Sequence, residues 1–230
     1  MAPLSSCHIS GVFSLSGGSR NAEPTYYAQY LSALEFTDDN KFINVSIRKF
    51  TPSADILYAD GSFVFMVAKA VLPVGGDGML DSIYCTPFKS DPDTFQSFLP
   101  PEPTHTAFIT GTVSSVGSNG STRSFTLTVS EYVRDERRTF DIRFVSPVVR
   151  FLFLAYLHSS FEYDGTSNRW KNVRPPVTGS TVTATGTFQD ISDGGHGEPI
   201  LSLLDISYGA TETVAASPTR TIGHRRTGVR

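Results

Sequence analysis

Strict alternation of apolar and polar residues marks the second half of the chain. Residues 124–132 (SFTLTVSEY) put Phe125, Leu127 and Val129 on one face and Thr126, Thr128 and Ser130 on the other. Residues 139–145 (TFDIRFV) repeat the pattern, with Phe140, Ile142 and Phe144 inward and Asp141 and Arg143 outward. A period of two is the spacing of a half-buried strand. Residues 107–116 alternate around Gly111, and a glycine inside a strand often marks a bulge or bend. Asn119-Gly120 is the strongest hairpin signal in the chain, and the charged run 134–138 makes the next turn. Two further strands flank the glycine-rich loop 190–198 (DISDGGHGE). The predicted strands therefore lie near 107–116, 124–132, 139–145, 180–189 and 200–208. Phe125, Leu127, Val129, Phe140, Ile142 and Leu203 are their expected core.

Five such strands must cover one apolar face, and closing the sheet removes its exposed edges. Three meandering strands, a longer connection and a final hairpin give the order of an OB barrel. Gly186 suits a barrel corner. A three-plus-two sandwich is the competing closure. The expected architecture is mostly β, with a five-stranded OB-like antiparallel barrel over 104–209.

The first half is less regular. Residues 41–50 (KFINVSIRKF) alternate as a strand, residues 62–72 read as a buried strand and residues 79–88 as another. Asp60-Gly61 and residues 73–78 (PVGGDG) are turn signals. Residues 26–36 are irregular enough for a helix or a strand. The expectation is a smaller β-rich unit over 24–100, a degenerate OB domain being one form it can take. Residues 1–23 read as a flexible lead-in, 90–103 as an acidic, Pro-rich linker and 210–230 as a basic disordered tail.

Composition narrows the class. Only 18% of residues are charged, while 14 Pro and 19 Gly interrupt the chain often, as in a turn-rich β protein. The formal charge of −3 gives no global basic footprint for nucleic acid. The charge is uneven, however. Residues 1–100 hold 10 acids and 6 bases, and residues 101–230 hold 12 acids and 13 bases, so a polyanion would meet the second half. Two cysteines, Cys7 and Cys85, exclude a disulfide framework and favour a reducing, intracellular setting in nucleus or cytoplasm. The start of the chain lacks the pattern of a signal peptide. The most apolar stretch, 147–157, contains Arg150 and falls short of the ~20 residues that span a bilayer. No membrane partner is expected.

At the level of motifs, ITGTV at 109–113, FTLTVSEYVR at 125–134, RWKN at 169–172 and GSTVTATG at 179–186 resemble a group of uncharacterised mushroom-type (agaricomycete) fungal proteins with OB-like domains. FVFMVAKA at 63–70 and residues 87–92 extend the likeness into the first half. The resemblance implies an OB-like fold and carries no catalytic residues. Residues 145–159 (VSPVVRFLFLAYLHS) depart from it. They read as an amphipathic helix plugging the barrel end or as a translated intron, since Val-Ser can be coded by a donor-like GTG-AGT.

The five histidines are scattered without metal-ligand spacing, and no phosphate loop, nucleophile elbow or dinucleotide motif appears. His196 with Asp193 and Glu198 is most simply a surface loop. No cofactor, metal or catalysis is expected. In an OB barrel the ligand groove is the exposed face of the second and third strands. Here that face offers Thr126, Thr128, Tyr132 and Arg143, rimmed by Arg123, Arg137 and Arg138, with Trp170 and Lys171 nearby. Arginines suit phosphates, and Tyr132 and Trp170 are the rings on which bases can stack. The expected function is a non-catalytic binding module for single-stranded DNA or RNA. A module binding a protein partner through the same face or a strand edge is the alternative.

Overall fold

The computed structural model describes residues 5–20, 26–37, 41–52, 55–88, 105–119, 122–146, 174–192 and 197–209. Ten strands follow in chain order: β1 (Ser6–Arg20), β2 (Tyr27–Glu35), β3 (Phe42–Phe50), β4 (Ser62–Val71), β5 (Gly78–Pro87), β6 (Thr106–Asn119), β7 (Thr122–Val133), β8 (Glu136–Val145), β9 (Thr181–Ile191) and β10 (Pro199–Tyr208). There is no helix among the described residues.

All ten strands belong to one hydrogen-bonded sheet, and two cycles of pairing run within it. β6 pairs with β7, β7 with β8, β8 with β10, β10 with β9, and β9 again with β6. The first five strands repeat this order, through β1–β2, β2–β3, β3–β5, β5–β4 and β4–β1. This is the OB strand order twice over. One pair in each cycle is parallel, β8 with β10 and β3 with β5, so the expected all-antiparallel barrel is corrected at that seam. The seam is short: three registered pairs join β8 to β10.

The first unit is also larger than expected. Residues 6–20, read as a lead-in, form β1. Its small polar residues concealed a period of two: Cys7, Ile9, Gly11, Phe13 and Leu15 point inward between serines, His8 and Val12. Residues 26–36 settle as strand, because Ala28, Tyr30 and Leu34 are buried while Leu31 and Glu35 are exposed.

The register expected for the second half holds. Leu127, Val129 and Ile142 are fully buried, and Phe125, Phe140 and Leu203 nearly so. Gly186 pairs with Leu203 on β10 next to a register shift, where the neighbouring strand leaves no room for a side chain. A Cβ there would meet the Ser202 carbonyl at 2.7 Å and the Phe144 ring at 3.0 Å.

The two units join through β1 and β6, which pair antiparallel from Ser6↔Thr110 to Ser10↔Thr106. Each second-to-third-strand hairpin then reaches over the other unit. Beyond β2, Phe36 packs edge-on against Phe188 at 5.6 Å, and Lys41 bonds Asp190 at 2.6 Å. Beyond β7, Arg134 and Asp135 form a two-residue turn with φ of 54° and 65°. Left-handed φ at a residue with a Cβ costs roughly 1–2 kcal/mol, and the docking contacts of this turn offset it. The Arg134 N–H donates to Asp81 Oδ2 at 2.8 Å, its guanidinium donates to the Ser46 carbonyl at 3.1 Å, and Asp135 accepts from Arg48 at 2.8 Å.

The extent of the linker 90–103 and the tail 210–230 falls outside the described residues, as do Trp170, Lys171 and the plug-or-intron stretch beyond Ser146.

Candidate functional site

The outward face of β7 and β8 is built from cross-strand pairs. Thr126 lies opposite Arg143, Thr128 opposite Asp141, Ser130 opposite Thr139 and Tyr132 opposite Arg137. Because side chains alternate across a strand, the burial of Leu127, Val129 and Ile142 fixes this set on the outside.

The structure brings most of the expected residues together but changes what several of them offer. Tyr132 is 50% exposed, and Arg137 opposite it is exposed too, so a ring and a guanidinium sit side by side near the hairpin tip. Arg143 is ion-paired to Glu198 and not to Asp141, two residues away on the same face. The parallel β8–β10 seam explains this, since Glu198 leads directly into β10 beside Arg143. Asp141 is engaged by Thr128, whose hydroxyl donates to Oδ1 at 2.6 Å. Thr126 is only 7% exposed and cannot serve as an open groove residue. It is enclosed between Arg143 on β8 and Ser115 on β6. Arg138 pairs with Glu136 at 2.6 Å.

Arg123 stands where β7 begins, in step with Phe125 and Leu127 and so off the outward face on which it was expected. It edges a small, mostly apolar cleft of about 40 Å³, lined also by Phe125, Arg174, Pro176, Leu203 and Tyr208. The Tyr208 hydroxyl donates to the Arg174 carbonyl, and burial raises its pKa.

No protein-family model matches the chain, and no curated protein sequence matches it. Among solved structures, similarity is found to the wild-type single-stranded DNA binding protein from Thermus aquaticus. Identity is 11% and the TM-score 0.48, over 96% of this chain and 100% of that one.

The corresponding face of the first unit escaped the sequence reading. Its pairs are Tyr27↔Phe50, Gln29↔Arg48, Leu31↔Ser46, Ala33↔Asn44 and Glu35↔Phe42. Tyr26, Tyr27 and Phe50 form a three-ring cluster with centroids 5.3 to 6.0 Å apart. Tyr26 is 48% exposed and Phe50 59%. The Arg48 guanidinium lies over the Tyr27 ring at 4.8 Å. The signal that could have found the cluster was the adjacent pair Tyr26-Tyr27 at the start of a segment whose faces the irregular spacing left unassigned.

Arg48 is the best-held cation of this region. Asp81 accepts from its Nε at 2.9 Å and from its terminal nitrogen at 2.6 Å, and these bonds push its pKa upward against partial burial. Among the described residues, no group of three or more His, Cys, Asp or Glu could hold a metal. Likewise, no helix there is long and apolar enough to cross a membrane.

Proposed function

We propose that the chain is a non-catalytic binding module that holds single-stranded nucleic acid along the outward β7–β8 face. The observation that carries this reading is the exposed Tyr132–Arg137 pair on the second and third strands of an OB barrel. A base stacks on the ring while the guanidinium meets a phosphate. Arg143 lies further along the same face, moderated by Glu198. An intracellular setting belongs to the same proposal and is supported by Cys7 and Cys85, which are both free.

The test is a titration of fluorescent oligothymidylate against wild type and the double variant Tyr132→Ala, Arg137→Ala. Losing one stacked base and one phosphate contact weakens binding roughly tenfold or more. Equal affinities for the two proteins contradict the reading.

A second reading, a protein-interaction module, is favoured by a different surface. The continuous outer sheet of β5, β4, β1 and β6 carries Tyr84 (54% exposed), Phe65 (40%) and Phe108 (46%). Large exposed rings gathered on one sheet surface suit a protein partner. Binding of wild type to no oligonucleotide at low salt would leave this reading in place.

A further inference from the structure

We infer that the Tyr26–Tyr27–Phe50 cluster is a second base-stacking subsite, joined to the β7–β8 face so that one nucleic-acid strand spans both barrels. The inference rests on the reading of the β7–β8 face as a strand-binding surface.

Three observations carry it. First, the rings are displayed. Phe50 and Tyr26 are about half exposed, although each is large enough to be a core residue. Apolar rings of that size held open at a sheet surface leave π-faces that any base can cover without sequence preference.

Second, a guanidinium already covers one of the rings. Arg48 lies 4.8 Å from the Tyr27 ring centroid and is held there by Asp81 and Asp135, so the cluster is a rigid platform whose remaining faces belong to Tyr26 and Phe50.

Third, the two faces are mechanically continuous. Asp135 at the β7–β8 tip bonds Arg48 at 2.8 Å, and Arg48 in turn covers Tyr27, which touches Phe50 at 6.0 Å. Tyr132 and Arg137 lie just behind that tip. A strand leaving Tyr132 meets Arg48 and then the three rings. The Arg48–Asp81–Arg134 bonds hold the two faces in fixed relation, so no ordering cost separates one subsite from the other.

The experiment compares two fluorescent oligothymidylates, of about 6 and about 20 nucleotides, chosen to occupy one barrel or both. Wild type and the variant Tyr26→Ala, Phe50→Ala are titrated with each. Wild type is expected to prefer the longer strand, and the variant to lose that preference through an affinity about tenfold lower for the longer strand. The variant Phe50→Trp keeps a stacking ring and is expected to retain wild-type affinity. Wild type binding the longer strand no better than the shorter, or Tyr26→Ala, Phe50→Ala binding it as wild type does, overturns the inference while leaving the β7–β8 reading intact. Wild type binding neither strand overturns both.

Discussion

Arg48 and Arg143 occupy the same position in the two barrels. Each projects from the third strand of its unit, opposite Gln29 in one case and Thr126 in the other. The registers match outward from there: Tyr27↔Phe50 corresponds to Ser124↔Val145, and Glu35↔Phe42 to Tyr132↔Arg137. Even the bond closing each face is repeated, from the Thr51 N–H to the Tyr26 carbonyl and from the Ser146 N–H to the Arg123 carbonyl, both at 2.8 Å. Each arginine is held by a carboxylate from the region of the fifth strand, Asp81 or Glu198. What differs is the covering: aromatic around Arg48, hydroxylic around Arg143.

If Glu198 restrains Arg143, removing its charge frees a phosphate contact. Glu198→Gln is expected to tighten single-strand binding and to steepen the dependence of log K on log salt by about 1. Anisotropy titrations over a salt series measure both. An unchanged slope means that Arg143 does not reach the strand.

Asp81 binds the two barrels together through Arg48 and the Arg134 main chain. The Arg48 and Asp81 side chains are 13% and 18% exposed, so solvent screens the pair only partly. Asp81→Ala is expected to lower stability by about 1–3 kcal/mol, since it strands a partly buried guanidinium and an N–H. Urea denaturation checks this. A loss within 0.5 kcal/mol of zero, the range of ordinary surface changes, contradicts the role given to it.

Leu127 is fully buried, whereas Leu204 is 45% exposed. Leu127→Ala is expected to cost roughly 2–5 kcal/mol. Leu204→Ala should cost far less. Comparable losses at both positions would contradict the register of the second barrel.

His105 sits at the junction of the barrels. Its ring packs at a tilt against Phe13, with centroids 4.6 Å apart, and its Nε2 lies 3.0 Å from the Val12 carbonyl. Burial lowers its pKa below 6.5, and the Val12 carbonyl opposes this only in part. The folded state therefore favours the neutral ring. Its contribution is fully present above the unfolded pKa and is lost as pH falls through 6.5 toward the lower folded value. Stability measured by thermal melts should fall over that window in wild type and fall less in His105→Gln. Identical profiles would contradict the assignment.

The second barrel was legible because its strands alternate cleanly: Phe125, Leu127 and Val129 against Thr126, Thr128 and Ser130 leave little choice of face. The first barrel was hidden by its composition. In β1 the alternation is broken at its centre, where Gly11 faces inward and Val12 outward, and the run of small residues after Leu15 reads as a polar lead-in. In β2 the exposed Leu31 breaks the pattern. The site was half legible for a related reason. Period two places Arg143 and Asp141 on one face, but only the β8–β10 pairing, set by contacts distant in sequence, brings Glu198 to Arg143. The ring cluster depends on the β2–β3 register, which joins Tyr27 to Phe50 across the strands.

The central claim is single-strand binding, and salt tests it most directly. Fluorescent oligothymidylate is titrated with the wild-type protein at about 50 mM and about 200 mM salt, because phosphate contacts release counterions. The account predicts measurable binding at the lower salt, weakening about tenfold or more at the higher. Absence of binding at the lower salt, or an affinity indifferent to salt, would contradict it.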